Sequence, residues 1–260
     1  MKISETKIRE SFRCGELRTA LPIFIKEATD STMSDAKSMA DTHTRAVFIA
    51  DSQTMGRGRL GRKFISEGGV GLYMTILFTP SSLSDAVGIT AYTAVIVRRA
   101  IHELTGIDAS IKWVNDIVKD GRKLAGILTE GIFRPGDEKP SRCIVGIGIN
   151  VHGYILNDEI RDIATTIEAL GGSVSREELA SRIVELFFSE INKVETHTYA
   201  DEYRQHSCII GERVDVIKPI ITYSATVKGI TDSCELILAL DNGEEEILST
   251  GEVSVRRIEN

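Results

Sequence analysis

Several things are scarce in this 260-residue sequence, and each absence narrows its function. No apolar run approaches the roughly 20 residues that cross a bilayer, and the first residues, MKISETKIRESFRCGEL, lack the basic start and apolar stretch of a signal peptide, so a cytoplasmic protein without membrane contact is expected. The four cysteines, Cys14, Cys143, Cys208 and Cys234, stand far apart with no C-x-x-C pair, which points to reduced thiols rather than a metal or disulfide framework. The five histidines are equally scattered. Positive charge is in deficit: the net charge is −7, so the surface as a whole repels polyanions and nucleic acid is not an expected partner. No internal repeat or low-complexity tract occurs, which removes solenoids and linkers.

What remains is the composition of a globular protein, 42% hydrophobic and 27% charged, long enough for one large core or a core with a small appended module. TDSTMSDAKSMADT predicts a helix starting near Ser31, and AVFIAD a short buried strand. SQTMGRGRLGRKFISEGG follows neither hydrophobic period and reads as a long loop. GLYMTILFTP predicts an alternating strand, LSDAVGITAYTAVIVRRAIHELTG a largely buried helix, and SIKWVNDIVKDGRKLAGILTEGIF two strands joined by an Asp120-Gly121 turn. RCIVGIGINV is another buried strand. Ser175 with Glu178 forms a capping box ahead of an amphipathic helix, and from about Ile209 short strands with an Asn242-Gly243 turn suggest a small β-barrel. An α/β core followed by a small β domain remains.

Four segments carry the chemistry. In QTMGRGRLGRK the glycines Gly56, Gly58 and Gly61 alternate with Arg57, Arg59 and Arg62; glycine lets backbone approach a ligand and arginine forks match phosphate or carboxylate, so the loop suits anions. A solvated surface loop is the plainer alternative, and a P-loop is excluded because no G-K-[ST] closes the segment. Lys112-Trp113-Val114-Asn115-Asp116 puts charge into an apolar strand, with Lys112 and Val114 on one face and Trp113 and Asn115 on the other; an edge strand would explain it equally. Lys123, after the turn, returns beside Lys112 or Asp116, unless it is only a solvated charge. Gly146 and Gly148 in VGIGIN leave room for something to lie flat on the strand, or for close packing against a helix.

Taken in order, these segments resemble the biotin protein ligase family. Gly56 to Arg62 is similar to its biotinyl-adenylate loop, Lys112 to Asp116 to its KWPND motif, Lys123 to Leu128 to its K-x-x-G-I-L segment, Val145 to Asn150 to its V-G-I-G-x-N strand, and Asp30-Ser31-Thr32 to its D-S-T-N signature. Gly251 to Arg256 resembles the closing strand of its C-terminal barrel, so the likeness spans about Ile23 to Arg256. Three positions depart from the pattern: Met33 stands where asparagine is usual, Val114 where proline is, and Phe64 where tryptophan is frequent.

The resemblance implies an α+β fold, a mixed-sheet catalytic domain of the biotin/lipoate ligase type over 1–207 with an SH3-like barrel over 208–260, monofunctional because only about 22 residues precede the catalytic region, too few for a DNA-binding domain. It implies that biotin and ATP, with Mg2+, give biotinyl-5'-AMP and that biotin then passes to a lysine of a biotin carboxyl carrier protein. Lys123, Arg59, Lys112 and Asp116 would be catalytic. Biotin would meet Ser31, Thr32, Gln53, Gly56, Arg57, Arg59, Trp113, Lys123, Gly126, Gly146 and Gly148. ATP and the adenylate would meet Arg59, Arg62, Phe64, Lys112, Asn115, Asn150 and Arg256. Asp116 would hold magnesium or orient Lys112. No protein nucleophile is needed, which agrees with the lack of a Ser, Cys and His constellation. A lipoate or octanoate ligase of the same fold is the rival, a non-catalytic anion-binding protein a more distant one, and a monomer or a homodimer is compatible with the sequence.

Overall fold

In a computed structural model, residues 2–80, 86–153, 160, 162–218, 220–249 and 251–255 are described. In chain order the elements are α1 (Glu5–Ser11), α2 (Gly15–Ala20), β1 (Ile23–Thr29), α3 (Thr32–Ser38), β2 (Arg45–Gln53), β3 (Gly71–Phe78), α4 (Ala86–Thr105), β4 (Ser110–Lys112), β5 (Asp116–Lys119), β6 (Arg122–Ile132), β7 (Arg142–Asn150), α5 (Arg176–Ser189), α6 (Lys193–Thr196), α7 (Ala200–Gln205), β8 (Arg213–Ile217), β9 (Thr222–Ile230), β10 (Leu236–Leu240), β11 (Glu245–Leu248) and β12 (Glu252–Val255). The fold is α+β. Seven strands form one mixed sheet in the order β1-β2-β3-β7-β6-β5-β4, parallel between β1 and β2 and antiparallel elsewhere.

Central strands β3 and β7 carry the core. Every residue of β3 is buried, not every second one as alternation predicts, because α5 packs on one face and α3 on the other. The predicted capping box opens α5: Ser175 Oγ accepts from Glu178 N–H while the Glu178 carboxylate reaches back to Ser175 N–H. The amino-terminal segment has a structural task that its sequence did not announce. Ile8, Phe12, Leu17 and Leu21 are buried, and Glu185 of α5 accepts from the backbone N–H groups of Arg13 and Cys14.

Asp120 and Gly121 both take positive φ, 50° and 73°, as a tight turn whose twist matches its strands requires, and β5 and β6 pair across it. The strand expected to run through Ser110 to Lys119 is instead broken. Trp113, Val114 and Asn115 form a turn with a cis Trp113–Val114 peptide, so β4 folds back onto β5 and Lys112 pairs with Asp116. The two-faced arrangement expected for Lys112 to Asn115 therefore does not occur. A tight turn exchanges strand pairing for contacts to other elements: Trp113 Nε1 donates to the Cys234 carbonyl at 2.7 Å and Tyr203 Oη to the Val114 carbonyl at 3.3 Å.

The second sheet is antiparallel with the order β11-β10-β9-β8-β12. Among the described residues β11 and β12 end that order without pairing, so the expected barrel is open here.

Candidate active site

Two glycines of β7 define the floor of the cleft. Register places Gly146 between Thr75 and Leu128, and Gly148 between Tyr73 and Gly126. These positions lie on one face of the sheet, since side chains alternate along a strand. A Cβ at Gly148 would fall 2.6 Å from the Phe64 ring, and one at Gly146 would fall 2.7 Å from Met33 Sδ. Both openings predicted from the sequence are therefore real, and both are filled by the chain's own side chains.

At the Gly146 end the groups are neutral and hydrogen-bonding. Helix α3 begins here because the Ser31 hydroxyl caps it, accepting from Met33 N–H. Gln53 Oε1 accepts from Thr32 N–H at 2.9 Å and from the Thr32 hydroxyl at 3.1 Å, while Gln53 Nε2 donates to Ser66 Oγ at 2.9 Å. The Thr75 hydroxyl donates to Thr32 Oγ1 at 2.9 Å. Ser31 and Thr32 are buried, so this network is desolvated and fixed before any ligand arrives.

At the Gly148 end the groups are charged. Lys123 Nζ lies 2.6 Å from Asp116 Oδ1, in an ion pair, and 6.0 Å from the centre of the Phe64 ring. The Lys123 backbone is held by Ile163 and Thr165, and Asn150 Nδ2 donates to its carbonyl at 3.4 Å. Burial raises the Tyr73 phenol well above its usual range, and its hydroxyl donates to the Glu67 carbonyl near the end of the loop.

The glycine-arginine loop is more ordered than its sequence suggests. It folds back on itself, with Gln53 bridged to Ser66 and Arg57 to Lys63, and a short 3-10 turn at Arg59–Gly61. Arg57 donates to Ser34 Oγ at 2.6 Å. Arg59 donates to Asn115 Oδ1 at 3.3 Å and to the Gly251 carbonyl of the second sheet at 3.0 Å.

Ser31, Thr32, Gln53, Arg57, Arg59, Phe64, Asn115, Lys123, Gly126, Gly146 and Gly148 all line one cleft of about 50 Å3. Trp113 does not. It is buried, its indole committed to the Cys234 carbonyl, and this corrects its place among the residues expected to meet biotin. Lys112, Arg62, Gly56 and Asn150 are also outside the lining. Lys112 sits on the side of Cys208, where its charge opposes the upward shift that burial gives the thiol. Gly56 lies beneath Phe64, its carbonyl accepting from the Phe64 N–H, and the amide of Asn150 is turned to Lys123. The Asp116 carboxylate forms its ion pair with Lys123, while Lys112 is only its backbone neighbour across the β4–β5 ladder. Arg256 lies outside the described residues. Met33, noted in the sequence only as a departure from the D-S-T-N signature, lines the cleft as well, and sequence reasoning missed Gly58, Met74, Ile127, Leu128 and Ile147 as lining residues; the strand register, once known, selects Leu128. Among the described residues no group of three His, Cys, Asp or Glu could hold a metal ion, and no helix is long and apolar enough to cross a membrane.

Comparison with known proteins gives this arrangement a context. Residues 22–150 match the model of the Biotin/lipoate A/B protein ligase family, and residues 209–256 that of the Biotin protein ligase C terminal domain. The Bifunctional ligase/repressor BirA of Bacillus subtilis is 30% identical over 257 residues, 95% of this chain and 78% of that protein. A biotin–acetyl-CoA-carboxylase ligase of Mycobacterium tuberculosis is 31% identical over 206 residues, 74% of this chain and 73% of that protein. Among solved structures, a biotin protein ligase from Aquifex aeolicus in complex with biotin and ATP superposes with a TM-score of 0.77 at 27% identity, covering 91% of this chain and 99% of that one.

Proposed function

The chain belongs to the biotin/lipoate A/B protein ligase family, and from that membership we propose that it is an ATP-dependent biotin protein ligase whose cleft reads biotin from ring to carboxylate. The observation that carries this reading is the polarity of the cleft. A neutral hydrogen-bonding end at Thr32 and Gln53 suits the ureido ring, the Gly148 part of the floor, under the Phe64 ring, suits the alkyl chain, and the Lys123 end suits the carboxylate. Lipoate would bring an apolar dithiolane against buried Thr32 and Thr75, half-buried Gln53 and the neighbouring buried Ser31. A site built around hydrogen bonds rejects a ligand that cannot make them, which disfavours the lipoate alternative.

The first half-reaction joins two anions. The biotin carboxylate attacks the α-phosphorus of ATP, a carboxyl–phosphorus bond forms, and diphosphate leaves. A pair of unit negative charges about 4 Å apart costs about 4 kcal/mol at an effective dielectric near 20. Arg57, Arg59 and Lys123, which converge on the cleft, offset that repulsion. Magnesium, in this reading, comes with the phosphates of ATP. In the second half-reaction the amine of a lysine on a biotin carrier domain attacks the acyl carbonyl and AMP leaves, so no side chain of the enzyme becomes acylated.

The free space of about 50 Å3 is small against the roughly 300 Å3 or more of a typical small-molecule site. Phe64 stands over the floor on a loop with few apolar anchors, so we assign to it the movement that admits the chain of biotin. Residues 1–207 form the catalytic unit in this reading and 208–260 the accessory one, with the Arg59 bond to Gly251 joining them. The enzyme would act in the cytoplasm, where ATP and carboxylase carriers meet.

The test is incorporation of labelled biotin into a carrier domain with magnesium and ATP, comparing the wild type with Lys123→Ala. Transfer that collapses in the variant supports the reading. A folded wild type that transfers lipoate and no biotin replaces it with the rival.

A further inference from the structure

The two side chains over the floor glycines are held in different ways. Phe64 is half-buried and belongs to the folded-back loop. Met33 is 4% exposed, sits in the first turn of α3 and packs in a cluster with Ala36, Ala40, Phe48, Leu77 and Ile144. Its Sδ and Cγ lie 2.7 and 2.9 Å from where a Cβ at Gly146 would stand, so the glycine is needed to seat the thioether itself. Beside it at the same helix start, Thr32 belongs to the hydrogen-bonding network with Gln53 and Thr75, and the Ser31 hydroxyl accepts from Met33's own N–H. A ligand that displaces Phe64 by moving a loop finds Met33 fixed, because moving it would open a packed cluster.

We propose that Met33 is the specificity-determining wall of the ring end: it sets the depth available to the bicyclic head, so the site accepts an unsubstituted ureido-thioether bicycle and rejects one enlarged on the ring. This rests on the ligase reading above and refines it. Thr32 and Gln53 fix the polar edge of the head, and Met33 beside them limits how far the rest of the ring extends over Gly146. Methionine adapts its shape, yet here both its helix and its packed neighbours restrict the adjustment.

The experiment measures kcat/KM for adenylation, by pyrophosphate exchange, with biotin, N-methylbiotin, biotin sulfone and homobiotin, the last enlarged only in its chain. Wild type, Met33→Ala and Met33→Leu are compared, with Met33→Val standing in should the alanine variant fail to fold. Removing three heavy atoms from the wall should raise the efficiency of at least one ring-enlarged analogue relative to biotin by about tenfold or more, the scale of a methylene in an apolar pocket. The homobiotin ratio should stay at its wild-type value, and Met33→Leu, which conserves volume, should keep the wild-type ratios. The proposal is overturned if Met33→Ala leaves both ring-analogue ratios unchanged, or relaxes homobiotin equally. A wild type that does not adenylate biotin at all refutes the ligase reading, and this inference with it; a wild type that does so without any effect of Met33 refutes this inference alone.

Discussion

Replacing Lys123 by methionine keeps the length of the side chain and removes its charge, and the structure gives two separate consequences. The Lys123 side chain is 36% exposed and that of Asp116 26%, so the site is neither bulk water nor dry interior. A unit pair about 4 Å apart is worth about 4 kcal/mol at an effective dielectric of 20, and partial exposure reduces this to about 2 kcal/mol. The first consequence is loss of that attraction for the carboxylate and phosphate of the reacting groups. The second is that Asp116, 2.6 Å from the ammonium in the native protein, is left as a bare carboxylate facing the same anions, which costs about another 2 kcal/mol. The sum of about 4 kcal/mol is a loss of roughly 10^3 in kcat/KM for adenylation, read by pyrophosphate exchange with biotin and magnesium-ATP. Adding Asp116→Asn to Lys123→Met removes the second contribution, so the double variant should recover about 30-fold. In the wild-type background Asp116→Asn leaves the cation in place and should lower activity by less than about tenfold. A double variant as slow as Lys123→Met, or slower, would refute the argument and give Asp116 a task other than pairing Lys123.

Four further outcomes are expected. Trp113→Phe removes the donor to the buried Cys234 carbonyl and should lower unfolding free energy by about 1–3 kcal/mol in urea titrations, with the KM for biotin little changed since the indole is outside the cleft. Arg176→Met leaves Asp51 and the Gly71 carbonyl without their common partner, and should destabilise the fold by about 3 kcal/mol or more in the same assay. Trypsin should cut the free protein within the Arg57 to Lys63 loop, where Leu60 is 73% exposed, and biotin with ATP should slow that cleavage; equal rates would count against loop closure. Burial pushes the Cys143 thiol up to about 11, so at pH 8 it stays protonated and resists alkylation while exposed Cys14 reacts, and reactivity at Cys143 should rise only as pH approaches that value, which peptide mapping after timed labelling would follow.

Much of the arrangement follows from local rules that a sequence states openly. The Ser175-Glu178 capping box, the Asp120-Gly121 turn and the helix start at Ser31 are short-range devices whose partners lie within four residues, so residue type and spacing are enough. The glycines of β7 likewise announced close approach, because glycine in a buried strand otherwise weakens packing. Their occupants could not be read, since Met33 and Phe64 reach the floor from 113 and 84 positions earlier in the chain.

Only the tertiary structure decided what the Lys112 to Asp116 segment does. Its composition is compatible with a strand, and a turn is chosen because Trp113 finds Cys234, 121 residues away, and Arg59 finds Asn115. The same holds for Asn150, which serves Lys123 through its carbonyl, and for the amino-terminal helices, whose burial depends on Glu177 and Glu185 in α5. Residue types and short spacings determined which groups this protein carries, a run of arginines, neutral hydrogen-bonding side chains and a lysine; long-range packing, which no periodicity encodes, determined which of those residues face the cleft and which hold it in place.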